Sequence, residues 1–313
     1  MNTDIQRIQD TLETRGYIAD TEIATAIHLA NKLERPLLTE GPAGVGKTEI
    51  AKVMADVLGT ELIRLQCYEG LDASSAIYEW NYQKQLLHIR MQEGSGEALD
   101  AKEATIFSQD FLLERPLLHA ITADKAPVLL IDEIDRADEA FEAFLLELLS
   151  DWQVSIPELG TLKAKHVPYT VLTSNRTREL SDALRRRCLY LWVDYPSFNK
   201  ELIIIKNKLP GINGELIKRL VTYVQLLRRL PLEKTPGIAE SLDWAAALTL
   251  LNRDNLEPST LSASIGTLLK HYDDQQRFRT NWLPALADSV ESADDDLALE
   301  QAWERFQARL SGT

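Results

Sequence analysis

The chain has 313 residues, of which 45% are hydrophobic and 26% charged. This composition supports a full hydrophobic core plus a smaller second domain and excludes a largely disordered protein. Its 34 Lys and Arg stand against 48 Asp and Glu, a formal charge of −14, so the long-range field repels nucleic-acid phosphates and anionic membrane surfaces and leaves only a local basic channel able to hold them. Two cysteines, Cys67 and Cys188, make no disulfide framework; beside expected strands they predict buried free thiols in a reducing compartment, the cytoplasm. The first residues lack the apolar core of a secretory signal, and no apolar run approaches the ~20 residues that span a bilayer.

Residues 1–34 read as a helical lead-in, with Ile23, Ile27 and Ala30 on one face. Arg35–Thr39 is a short apolar strand that Pro36 opens and Gly41 closes, and Glu49–Leu58 is a helix with one buried face that Gly59 stops. Between them stands Gly41-Pro42-Ala43-Gly44-Val45-Gly46-Lys47-Thr48, a complete GxxxxGK[ST] phosphate-binding loop, with Glu49 opening the helix behind it. Gly41, Gly44 and Gly46 permit positive φ, so the backbone N–H groups can face phosphate oxygens with the positive end of the helix behind them. Lys47 would then reach the β- and γ-phosphates, and the Thr48 hydroxyl would bind Mg²⁺. A tight turn between two core elements explains the glycines but gives no reason for Lys47 and Thr48.

Glu61–Gln66 alternates as a second strand, and residues 68–126 interrupt the strand and helix pattern with at least two helices about a Gly94-Ser95-Gly96 turn. Val128–Ile131 is a continuous apolar run, as in a strand buried on both faces of a parallel sheet. Phe141, Phe144, Leu145, Leu148 and Leu149 have the spacing of an amphipathic helix capped by Asp138. Residues 152–164 read as a protruding β-hairpin around Pro157-Glu-Leu159, Val167–Thr173 as a buried strand and Leu189–Val193 as the last strand before Tyr195-Pro196. The string Leu-Glu-Arg-Pro-Leu-Leu occurs at 33–38 and 113–118, entering a strand in one place and starting a helix with Pro116 in the other, so it is a coincidence and not a repeat.

Beyond Asn199 the pattern is helical only. Leu216, Leu220, Val221, Val224 and Leu227 form one stripe, Leu242, Ala245, Ala246 and Leu250 another, and Leu261, Ile265 and Leu268 a third. A last amphipathic segment carries Leu299, Trp303, Phe306 and Leu310. The expected organisation is an α/β nucleotide domain over 35–196, with its insert and hairpin, a helical lid over 197–272 and a helical extension over 273–313.

Hydrolysis of a γ-phosphate requires a cation clamp, an activated water and stabilisation of the charge that develops. Asp132, at the end of the buried strand, is placed to hold the Mg²⁺ shell, and Glu133 beside it to orient or deprotonate the attacking water. Asn175, at the tip of a neighbouring strand, is placed to bond the γ-phosphate or that water, although an Asn there also serves as a turn former.

With these motifs in this order, the chain resembles the AAA+ ATPases and, within them, the MoxR group. The resemblance rests on GPAGVGKT at 41–48, LLIDEIDRAD at 129–138, the hairpin, TSN at 173–175 and ALRRRC at 183–188, and covers about residues 30–275. Leu65–Gly70, Tyr78–Tyr82, Leu184–Cys188 and Ser241–Trp244 look most like the CoxD-type branch, associated with carbon monoxide dehydrogenase maturation. The family pattern implies a P-loop αβα fold with a helical lid and ATP and Mg²⁺ as cofactors, with Lys47 and Thr48 as their ligands. It makes Asp132 and Glu133 the metal and catalytic carboxylates and Asn175 the first sensor. It also implies an arginine finger at Arg187 or Arg186 acting on the neighbouring subunit of a ring, usually a hexamer. Arg136 is a second residue that can face the neighbour, and Gln66 can restrain Glu133. The chain departs from the pattern where a second-sensor arginine is expected: Thr235–Leu242 carries Glu240, with Arg253 as a possible substitute.

Three functions follow from this reading. The first is an ATP-driven remodelling machine acting on a protein client, such as a metalloenzyme in maturation, with a von Willebrand factor A-type adaptor. The second is a nucleic-acid motor using the hairpin with Lys163, Lys165 and His166, which the charge of −14 opposes. The third is a slow ATP-controlled scaffold, which the missing arginine would allow.

Overall fold

The computed structural model describes residues 3–91, 105–251, 256–289 and 293–311. The expected Gly94–Gly96 turn and Arg253 lie outside these. The chain forms two units, the first comprising Met1–Arg15, Ala19–Gly41 and Lys47–Trp192, and the second Gly16–Ile18, Pro42–Gly46 and Val193–Thr313.

The first unit is built on five parallel strands: β1 (Leu37–Glu40), β2 (Leu62–Gln66), β5 (Val128–Asp132), β8 (Tyr169–Ser174) and β9 (Leu189–Trp192), in the order β2-β5-β8-β1-β9. The apolar runs explain the centre of the sheet. Every residue of β1 and β5 is buried, as expected of strands covered on both faces. β2, at an edge, alternates and leaves Arg64 and Gln66 exposed on one side. In register, Gln66 lies opposite Asp132, Ile131 opposite Leu172 and Thr39 opposite Thr173, so the carboxyl ends of β5, β8 and β1 come level with one another.

Helix Lys47–Leu58 packs on β5, β2 and β8 through Ile50, Ala51, Val53 and Met54. Helix Glu139–Asp151 begins at Asp138, whose side chain accepts from Phe141 N at 2.8 Å, and buries Phe141, Leu145, Leu148 and Leu149. The hairpin is present as β6 (Gln153–Ile156) against β7 (Gly160–Lys163). The insert contains one element that its sequence pattern does not predict, a small antiparallel pair of β3 (Tyr78–Trp80) and β4 (Leu112–Glu114). Three-residue strands are too short to show a period. Both cysteines are buried and free, and burial pushes each thiol up to about 12.

The second unit packs helices Phe198–Lys208, Gly214–Arg228, Ile238–Leu250 and Pro258–Leu268 and the segments beyond them around Trp244, Phe198, Phe278 and Phe306. The stripe expected through Leu250 is shifted in phase, because Leu250 is 83% exposed and burial follows Ile238, Ser241, Trp244, Ala245 and Leu248 instead. The indole of Trp244 fixes that phase by donating to Ser264 Oγ at 2.9 Å from a fully buried position. No described helix is long and apolar enough to cross a membrane.

A buried ion pair joins three of these helices. Arg228 Nη1 and Nη2 donate to Glu201 Oε2 and Oε1 at 2.7 and 2.8 Å, and Arg228 Nε donates to Pro236 O at 2.8 Å. Ser241 Oγ and Gln225 Nε2 also donate to Glu201, each at 2.7 Å. Glu201 is fully buried and the Arg228 side chain 6% exposed, so truncating one partner leaves an uncompensated charge in the interior. Glu201→Ala is expected to destabilise the helical unit by about 3–5 kcal/mol, measured by chemical denaturation. A change below about 1 kcal/mol, the range of exposed pairs, would show that the pair is solvated.

Candidate functional site

Ligands of parallel sheets bind outside the carboxyl ends of the strands, where the order reverses. Here β1 leads into the phosphate loop, and its two neighbours are β8 and β9, both of which follow it in sequence. Gly41, Gly44 and Gly46 have φ of 154°, 77° and 97°, the conformations for which an L side chain is costly.

Lys47 opens the following helix and is 6% exposed. Its Nζ donates to Gly41 O at 2.7 Å, arching over the loop, and to Asn175 Oδ1 at 2.9 Å. Burial lowers the pKa of this ammonium, while the charges of Asp135, Asp132 and Glu133 oppose the shift. Asn175 in turn donates through Nδ2 to Glu133 Oε1 at 3.3 Å. Lys47, Asn175 and Glu133, far apart in sequence, therefore form one hydrogen-bonded chain.

Asp132 is nearly fully buried and has a donor at each oxygen. Thr48 Oγ1 and Thr173 Oγ1 donate to Oδ1 at 3.1 and 2.5 Å, and Arg64 Nη2 donates to Oδ2 at 2.6 Å. Thr48 and Asp132 are hard oxygen donors, the kind that Mg²⁺ takes. Among the described residues no group of three or more His, Cys, Asp or Glu converges as a metal site. The pair thus fits a cation that completes its shell with phosphate oxygens and water, as Mg²⁺ does in nucleotide sites.

Glu133 leaves the strand in the left-handed region, with φ 55° and ψ 50°. Its N–H donates to Thr173 Oγ1 at 2.9 Å, and its carboxylate accepts from Gln66 Nε2 at 3.2 Å and pairs with Arg136 Nε at 3.4 Å. Arg176, just after Asn175, also has positive φ, 58°. Such backbones cost of order 1–3 kcal/mol each in non-glycine residues and recur at functional sites.

The three arginines at 185–187 end helix Asp182–Arg187 and differ in what their side chains hold. Arg185 Nη2 donates to the buried Glu40 Oε2 at 2.8 Å, and Arg187 Nε donates to Ser150 Oγ at 2.5 Å. Arg186 is exposed, and among the described residues its side chain makes no hydrogen bond or ion pair. Arg35 donates to the main-chain carbonyls of Arg186, Arg187 and Cys188 and so caps this helix.

Pro42–Gly46 belongs to the second unit, in which Ile238 N donates to Gly44 O at 2.9 Å. Glu240 is committed to the same turn: its Oε2 accepts from Gly237 N at 2.9 Å and caps helix Ile238–Leu250. Glu49 pairs with Lys52 at 3.4 Å, one turn on, and Val45 is buried. Sequence reasoning missed Arg64, Thr173 as a bridge between two carboxylate-bearing residues, and the cap made by Arg35. The spacing of Arg64 and Gln66, two apart on an alternating strand, is the one signal that could have placed Arg64 on the face of Gln66.

Residues 36–188 match the family model of the AAA domain, dynein-related subfamily. The denitrification regulatory protein NirQ of Pseudomonas aeruginosa is 25% identical over 230 residues, 71% of this chain and 78% of that protein. Protein CbbQ of Allochromatium vinosum is 34% identical over 73 residues, 23% of this chain and 99% of that sequence. Among solved structures, the Thermotoga maritima RuvB Holliday junction branch migration motor is similar over 96% of this chain and 87% of its own, with 18% identity and a TM-score of 0.44.

A Cβ at Gly237 would lie 2.7 Å from Gly44 O, against backbone that has no flexible end to yield. Gly237→Ala is therefore expected to displace the phosphate loop and weaken binding of a fluorescent ATP analogue by roughly tenfold or more, while circular dichroism stays as in wild type. Unchanged affinity would mean that Gly44 and Gly237 do not stay in contact when nucleotide binds.

Proposed function

Because the chain belongs to the MoxR-type AAA+ ATPases, and therefore binds nucleotide and hydrolyses ATP, we propose that Lys47, Thr48, Asp132, Glu133 and Asn175 form its catalytic set. The observation that carries this reading is the hydrogen-bonded chain Lys47–Asn175–Glu133 beside the Thr48–Asp132 pair. The backbone N–H groups of residues 43–49, with the Lys47 ammonium, would hold the ATP phosphates, Pro42 having no N–H to give. Thr48 and Asp132 would hold Mg²⁺, which supplies charge neutralisation at the β- and γ-phosphates. Glu133 would accept the proton of the attacking water, and Asn175, with one bond to Lys47 and one to Glu133, would keep that water in line. Residues 35–196 act as the nucleotide domain, 197–272 as its lid and 273–313 as an extension of the lid.

Members of the family assemble, and we assign this chain a ring, as a hexamer, in which each site is finished by an arginine of the neighbour. Arg186 fits that role better than Arg187 or Arg185, since a finger must have its guanidinium available to another subunit and the other two are engaged by Ser150 and Glu40. Glu133→Gln is expected to lower turnover by about 10²–10⁴-fold with ATP binding retained. Arg186→Ala should cost about 10³-fold in steady-state turnover, whereas Arg187→Ala should cost far less. Full turnover in Glu133→Gln would remove the mechanism, and a larger loss in Arg187→Ala would return the finger to that residue.

The work done with this ATP is, in our reading, remodelling or activation of a protein client in the cytoplasm, in the manner of a chaperone. The CoxD-like strings at 65–70, 78–82, 184–188 and 241–244 support a metalloenzyme or its complex as client. A von Willebrand factor A-type protein would be the adaptor. Glu133→Gln loaded with ATP, used as bait in the native host, should retain such an adaptor together with a metalloenzyme subunit. Retention of nucleic acid instead would favour a nucleic-acid motor.

A further inference from the structure

Arg64 is the group that the proposed mechanism does not use, and it sits on the metal's carboxylate. Its side chain is half exposed, yet Nη2 lies 2.6 Å from Oδ2 of Asp132, whose side chain is 5% exposed. The same nitrogen lies 2.6 Å from Gln66 Oε1, and Gln66 Nε2 donates to Glu133 Oε2. With Thr48 and Thr173 on Oδ1, each Asp132 oxygen has a donor, and among the described residues its salt bridge is to the guanidinium, with the Lys47 ammonium a more distant positive charge. A carboxylate this buried is costly without a positive charge beside it. Arg64 supplies that charge from a strand edge where the rest of its side chain remains in water.

We propose that Arg64 is a displaceable counter-ion for Asp132, standing in for the divalent cation and evicted when the cation arrives. This deepens the assignment of Thr48 and Asp132 as the Mg²⁺ ligands and rests on it. Thr48 marks Oδ1 as the side of the cation, and a divalent cation there stands a few ångströms from the guanidinium on Oδ2, so the two repel across one carboxylate. Entry of the cation therefore drives Arg64 to swing off Oδ2 by charge repulsion rather than by competition for one oxygen. Its half-exposed position lets it do so into solvent. Because Arg64 holds Gln66 with the same nitrogen, that swing also removes the donor from the Gln66 carbonyl and frees the amide that bonds Glu133. Arg64 is in this respect a positioning residue for Glu133, through Gln66, and links a filled metal site to a released catalytic carboxylate.

The test uses the full chain saturated with ADP and Mn²⁺ as the probe, with free Mn²⁺ followed by its paramagnetic resonance signal. Arg64→Ala is expected to tighten Mn²⁺ binding by roughly tenfold, since removing a positive charge a few ångströms away relieves repulsion even in a partly solvated site. Arg64→Gln, which keeps an amide able to bond Gln66 but no charge, should tighten it as well. Arg64→Lys, which keeps the charge, should stay near wild type. In turnover, Arg64→Ala should half-saturate at correspondingly lower Mg²⁺. Unchanged or weaker Mn²⁺ binding in both uncharged variants would overturn the proposal, and Arg64 would then be a support of the site. If Arg64→Ala alone fails to fold by circular dichroism, Arg64→Gln decides. Failure of the wild-type chain to bind ADP at all would instead remove the assignment of the site on which the proposal rests.

Discussion

Asp132 must keep its charge where water scarcely reaches it, and the arrangement of the first unit answers that requirement. The carboxylate closes a strand whose five residues are all buried. Its neighbours must therefore bring donors from elsewhere in the chain: a hydroxyl from the phosphate-loop helix, a hydroxyl from β8 and a guanidinium from β2. The parallel register allows this, because it places the ends of adjacent strands at one level while the chain between them travels through helices and an insert. Thr173 serves twice here, since a single hydroxyl donates to Asp132 and accepts from the backbone of Glu133.

Charge balance in the crevice is held by exchangeable partners. Lys47 is bound to a main-chain carbonyl and to Asn175, and Glu133 to Gln66, Asn175 and Arg136. Each is a contact that a phosphate, a cation or a water can replace with one of the same sign. Beside these side chains the backbone is left-handed at Glu133 and Arg176. In the helical unit the solution is the opposite. Glu201 and Arg228 satisfy each other completely, with three further groups from neighbouring elements, and nothing is left over to exchange. The turn at Pro236–Gly237 depends on that pair and bears the close approach to Gly44.

The parallel-sheet fold and the phosphate loop were legible because their signals are local. Continuous apolar runs mark strands buried on both faces, and GxxxxGK[ST] carries a backbone conformation and its ligands within eight residues. The helix after Asp138 was equally plain, with its cap and its spacing in one stretch. The β3–β4 pair escaped because three residues show no period. The phase of helix Ile238–Leu250 was misjudged through its leucines, since the buried indole of Trp244 and its bond to Ser264 decide which face turns inward.

Residue types and spacing alone determined the class of chemistry, the order of strand, loop and helix, and the identities of the charged groups at the strand ends. Only the tertiary structure decided which groups meet: that Arg64 takes Asp132, and that of three consecutive exposed arginines two have side-chain partners and Arg186 has none among the described residues. The physical reason is that these are pairings between residues from 37 to 145 positions apart. Spacing along one strand or helix dictates which face a side chain occupies. Which partner lies opposite depends on sheet order and register, which arise only when the separate apolar faces are buried together.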